Sequence, residues 1–134
     1  MLVDVSRLSP FPLFEGLTHY ELNFVAVNCS EMAVAPGSIL IQQGQVGNDV
    51  YLLEEGRVKV FRGDLDSPQE VTVLQAPTIV GELALLDPER IRTSSVSALT
   101  NLRLLSIPIR TFLVIVGAYP TVKEKLREVI ATRR

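Results

Sequence analysis

Residues 81–98 read GELALLDPERIRTSSVSA. A glycine precedes an acid, Glu82, and four apolar residues follow, Leu83 to Leu86. Asp87-Pro88 then breaks the run, and the loop behind it carries two arginines, Arg90 and Arg92. A run of small hydroxyl residues, Thr93 to Ser95, leads into Val96-Ser97-Ala98. Pro88 stops any short helix begun at Glu82 and turns the chain toward an extended segment that presents Arg92. Gly81-Glu82 and Arg92-Thr93 are common dipeptides. Taken by themselves they fit a structural ion pair between Glu82 and Arg92 better than they fit a binding site.

The surrounding chain narrows the choice. At 134 residues it fits a single domain that buries roughly two-thirds of its unfolded surface. With 47% hydrophobic and 21% charged residues it has globular composition. Net charge is −2, whereas general polyanion binders are basic, so no direct nucleic-acid binding is expected. The longest apolar run, Phe112 to Ala118, is too short to span a bilayer, and the N-terminus lacks a secretory pattern. With one cysteine, Cys29, a disulfide framework is excluded and a cytoplasmic setting is expected. Cys29 follows Val25-Ala26-Val27 and reads as a small buried residue rather than a reactive thiol.

Thr18-His19-Tyr20-Glu21 carries a capping box, and Leu22, Val25 and Ala26 continue at helical spacing, so a helix is expected over 18–28. Beyond Pro36-Gly37 the texture becomes β-rich. Extended runs are read at 38–42, 50–53, 57–60, 71–74, 78–80, 94–98 and 102–107, with a hairpin loop over 63–69. Short strands at regular spacing argue for a β-sandwich or jelly roll. Pro108 opens an apolar helix through about Val116, and Pro120 opens another. Val122, Leu126, Val129 and Ile130 form one apolar stripe on that last helix, opposite Lys123, Glu124, Arg127 and Glu128.

Gly44, Gly47, Asp49, Tyr51, Gly56, Gly81, Glu82, Ala84, Arg92, Val96 and Ala98 stand in a characteristic order and spacing. In this pattern the chain resembles the cyclic-nucleotide-binding domain family, which includes the regulatory subunits of cAMP-dependent protein kinase and the bacterial catabolite activators. The resemblance covers about residues 10–130, and residues 81–98 look like the family's phosphate-binding cassette. It implies a mainly β fold with flanking helices: an eight-stranded antiparallel β-roll, or jelly roll, with an N-terminal helix and two C-terminal helices. The expected organisation is one domain over 1–134, with a lead-in at 1–9, helix plus roll at 10–107 and closing helices at 108–134.

By this resemblance Glu82 accepts a hydrogen bond from a ribose 2′-hydroxyl and Arg92 pairs with the cyclic phosphate. Amides near Leu83 and Ala84 point at the same phosphate, with Thr93 and Ser94 beside them. The chemistry is consistent. An ionised carboxylate only accepts hydrogen bonds, so it suits a hydroxyl and repels a phosphate. A guanidinium adds a charge-assisted fork, and Gly81 admits a close backbone approach. Arg90, in the loop after Pro88, is expected to be solvated. The stripe of Val122, Leu126 and Val129 reads equally as a lid over the base and as core or a dimer seam.

The implied function is a regulatory sensor for a cyclic mononucleotide, cAMP ahead of cGMP. The partner implied beyond that ligand is a second copy or an effector domain met through the C-terminal helix. Two alternatives stand beside it: a ligand-free interaction module of the same fold, and the sensor part of a longer transcription regulator, channel or transporter. Catalysis is not expected, nor a metal or cofactor. A jelly-roll metalloenzyme needs converging His and carboxylate ligands, and the single histidine, His19, sits in the first helix.

Overall fold

The structure is a computed structural model in which residues 3–133 are described. Thr18 caps the first helix, α1 (His19–Ala26): its hydroxyl accepts from the Glu21 amide, and the Glu21 carboxylate accepts from the Thr18 amide. The expected capping box is therefore formed. Eight strands follow: β1 (Ser30–Val34), β2 (Ile39–Ile41), β3 (Asp49–Glu55), β4 (Arg57–Arg62), β5 (Gln69–Gln75), β6 (Thr78–Val80), β7 (Ser95–Ala98) and β8 (Leu102–Pro108). Two helices close the chain, α2 (Ile109–Ala118) and α3 (Pro120–Arg133). Pro120 stands at the first position of α3, where its missing N–H costs nothing.

The strands form two antiparallel four-stranded sheets, in the orders β1-β8-β3-β6 and β2-β7-β4-β5. The mainly β fold expected from the sequence, eight strands with an N-terminal helix and two C-terminal helices, is the fold observed. β1, which fills the place of the eighth strand, carries only weak alternation in SEMAV, because it lies at a sheet edge and is mostly exposed.

The first sheet is covered on both faces. On one side Leu52 of β3 and Leu105 and Ile107 of β8 meet Phe112 and Ile115 of α2 and Val122 and Leu126 of α3. On the other side Leu53, Leu102 and Leu104 meet Val58, Val96 and Ala98 of the second sheet. Burial on both faces explains the near-continuous apolar runs of β3 and β8, since a strand with one wet face alternates instead. Val3, Leu8, Phe11 and Phe14, in and just after the lead-in, are buried in the helix-side core. Arg7 fastens this segment to β3 through a two-pronged bond to Glu54, at 2.9 and 2.7 Å, and also pairs with Glu31 of β1.

Candidate functional site

β6 ends at Val80, and Gly81 then takes the left-handed conformation, with φ of 86°. That turn starts a short 3-10 helix, Glu82–Leu86, which Pro88 does not extend. Glu82 and Ala84 face inward, and Glu82 is only 2% exposed. The chain returns through Arg90 and Arg92 to β7. This return is pinned to the loop between β2 and β3: the Arg92 amide donates to Gln45 O at 2.8 Å, and Arg92 O accepts from the Gly44 amide at 2.9 Å. Gly47 N donates to Arg90 O at 2.8 Å, and Val46 and Ile91 form an isolated bridge.

The Arg92 side chain runs inward from this hinge. Its Nη1 donates to Gly81 O at 2.9 Å and its Nη2 to Asp49 O at 2.6 Å. The guanidinium lies 6.0 Å from the centroid of the Tyr51 ring, within cation–π range. Arg92 makes no ion pair among the described residues. The structural Glu82–Arg92 bridge that the two residues suggest by themselves is therefore absent. Burial lowers the Arg92 pKa, and the nearby Tyr51, Asp49 and Glu82 oppose that shift. Burial likewise raises the Tyr51 pKa, with the charge of Asp49 adding to it and Arg92 opposing.

Two glycines make room for this guanidinium. A Cβ on Gly81 would stand 2.8 Å from Arg92 Nη1, so the space beside Gly81 is taken by Arg92. The sequence reading assigned that space to a ligand. Gly47, on the opposite side, has the same role.

Glu82 has a partner that the sequence did not suggest. Arg133, at the end of α3, donates from Nη1 to Glu82 Oε1 at 2.7 Å and to Ile79 O at 2.5 Å. Its Nη2 donates to Thr78 Oγ1 at 2.6 Å. No local spacing signals this contact, because helix and cassette meet only in the folded chain.

A cleft of about 710 Å³ opens between the cassette and the second sheet, within the range of small-molecule sites. Gly81, Glu82, Leu83, Ala84, Arg92, Thr93 and Ser94, all predicted site residues, line it together. The opposite wall comes from Ile41, Val60, Thr72 and Leu74, with Arg62 and Glu70 paired at 3.0 Å at its exposed edge. None of these wall residues was singled out from the sequence, since each sits in an ordinary strand pattern.

Of the two readings left open for the α3 stripe the core one is observed, and the expectation for Arg90 requires correction. Val122 and Leu126 do not lie over the cleft: they are buried in the helix-side core, and Val129 packs against that core. Thr132 and Arg133 are the residues of α3 that reach the cleft. Arg90 is only partly solvated. Its Nη1 donates to Leu85 O at 2.8 Å and to Asp87 O at 3.1 Å, so it closes the cassette turn on itself. Among the described residues, no helix is long and apolar enough to cross a membrane.

This geometry has counterparts in known proteins. Over 120 residues the chain is 29% identical to the cAMP-dependent protein kinase regulatory subunit of Pyricularia oryzae, covering 90% of this chain and 30% of that protein. Over 123 residues it is 29% identical to the Cyclic AMP receptor protein of Thermus thermophilus, covering 91% of this chain and 56% of that protein. The chain thus spans only part of the length of these curated relatives. Among solved structures, the regulatory domain of Toxoplasma gondii PKA with cAMP superposes with a TM-score of 0.82 at 26% identity, covering 96% of this chain and 49% of that one. The family model of the cyclic nucleotide-binding domain matches residues 31–119, and the chain belongs to that family.

Proposed function

We propose that this chain is a regulatory sensor that takes a cyclic mononucleotide into the cleft, cAMP ahead of cGMP, and passes occupancy on through α2 and α3. The observation that carries this reading is Arg92: a nearly buried cation that lines the cleft, with two backbone carbonyls as partners and no carboxylate. A guanidinium has five N–H donors, so a cyclic phosphate can take those that remain and supply the missing countercharge. Glu82 then accepts from the ribose 2′-hydroxyl. The amides of Leu83 and Ala84 and the groups of Thr93 and Ser94 complete the phosphate end, and the base lies along Val60, Thr72 and Leu74. Two of the relatives above are named for cAMP, which supports that order of preference. The output is an effector domain or a second copy met through α3, whether in a regulator, a channel or a transporter.

Calorimetric titration with cAMP, cGMP and AMP tests the reading. Binding of cAMP, weaker binding of cGMP and much weaker binding of AMP are expected. The apolar turn Leu83–Leu86 offers little to a phosphate dianion. Equal affinity for cAMP and AMP would overturn the cyclic-phosphate assignment. No heat with any of the three would favour a ligand-free interaction module.

A further inference from the structure

We infer that α1 and α2 together present a self-association surface, and that its occupant is a second copy of this chain. This face lies apart from the cleft, and the inference does not depend on a nucleotide.

Both helices carry apolar residues on the side that their own core does not use. In α1 the core takes Val25 and Ala26, while Tyr20, Phe24 and Val27 recur at i, i+4 and i+7 on the exposed side. Tyr20 is 88% exposed. In α2 the core takes Ile109, Phe112 and Ile115, yet Leu113 and Val114 are exposed, with Gly117 and Ala118 one turn further on. A helix that is apolar all round belongs in an interior, with something on every side. The two stripes adjoin, because the Phe24 ring meets the Tyr119 ring edge-on with centroids 6.3 Å apart. Arg110 is exposed one turn before Leu113, so the α2 stripe has an uncharged centre and an arginine at its end, a composition typical of interfaces.

α3 offers a second copy no comparable face. Val122 and Leu126 are buried in the helix-side core, and Val129 and Ile130 pack against it. The remaining face carries Lys123, Glu124, Arg127 and Glu128.

The relief of the α1–α2 surface selects the occupant. Gly117 lies inside α2, where glycine is less favourable than alanine, and a Cβ there would meet nothing within 4 Å. The chain's own packing does not call for that glycine, whereas a notch for a side chain arriving from outside does. Tyr20 is the projecting ring on the same surface, one turn from Phe24, and Gly117 is two residues from Tyr119. A twofold pair seats the Tyr20 of each copy in the Gly117 notch of the other, the reciprocal pattern of an isologous interface. Size agrees. The exposed apolar side chains amount to on the order of 500 Å², and a polar rim brings that toward the ~800 Å² each partner of a standard interface buries.

The test is the mass of the chain by analytical ultracentrifugation over a dilution series, without nucleotide. It compares the wild type with Tyr20→Ser, Gly117→Gln and a control, Val73→Lys, which alters an exposed valine of β5. The wild type should be a dimer when concentrated and should dissociate on dilution. Tyr20→Ser and Gly117→Gln should each raise the dimer dissociation constant at least tenfold, and Val73→Lys should leave it unchanged. Gly117→Gln carries its own check on folding. Glutamine is the better helix former, so in dilute solution the melting temperature should hold or rise while association falls. A monomer throughout the series would overturn the inference. A dimer that survives both helix variants, or one that Val73→Lys dissolves, would overturn it too, since the contact would then lie elsewhere.

Discussion

Gly47 lies so close to Arg92 that a Cβ added to it would stand 2.6 Å from both Cζ and Nε of the guanidinium. No such Cβ fits unless Arg92 moves. Gly47→Ala is therefore expected to swing Arg92 off the carbonyls of Gly81 and Asp49 and to weaken nucleotide binding. Because the loop is exposed to solvent nearby, the melting temperature should fall much less than the affinity. Calorimetry beside a thermal melt separates the two, and an unimpaired affinity would show that Arg92 does not hold the ligand.

Arg92→Ala should cost roughly 2–5 kcal/mol of binding, the usual penalty for leaving a buried anion without its cation. Arg92→Lys should recover only part, because an ammonium keeps the charge but cannot span two carbonyls and a phosphate at once.

Arg90→Ala should behave differently from its neighbour. Its two bonds to carbonyls hold the turn between Leu85 and Arg90 together. The expected loss is about 1–2 kcal/mol of folding stability, seen in denaturant melts, with a smaller change in affinity. A larger effect on affinity than that of Arg92→Ala would shift the phosphate contact to Arg90.

Leu126→Ala should destabilise the chain by roughly 2–5 kcal/mol, as truncation of a buried leucine generally does. If the residue were a lid, the same change would instead speed ligand release and leave the melt alone.

Cys29 is expected to be inert. Burial pushes its thiol up to about 12 from the ordinary 9.0, with the charge of Glu54 adding and Arg7 opposing. Only the thiolate attacks, so a disulfide reagent at pH 8 should react about a thousandfold more slowly than with a free thiol. The folded state holds this proton more tightly than the unfolded one. Its contribution to stability is thus intact below about pH 9 and is lost as pH rises toward 12. Wild type should lose more stability over that window than Cys29→Ala.

Local chemistry was legible in the sequence and distant contact was not. The Thr18–Glu21 box and the proline at 120 act within one turn of chain, and both formed as read. The cassette residues fall close together in sequence and line one cleft. Arg133 reaches Glu82 across most of the second half of the chain, and no periodicity could announce it. The stripe on α3 was ambiguous for a related reason: an apolar face says that something covers it, not what. Arg90 looked solvated because its partners are backbone carbonyls, which have no signature in a sequence.

The pairing of β1 with β8, Ser30 against Ser106, sets the tempo at which this molecule comes into being. Its sheets join early chain to late chain, and such topologies search long loops before contacts reward them, so they form over milliseconds to seconds. On the ribosome, β1 must wait without its strand partner until β8 emerges, and the cleft cannot close before Arg92 meets the loop at Gln45. If the proposed function holds, the nascent domain has no cleft for a nucleotide until Arg92 has emerged.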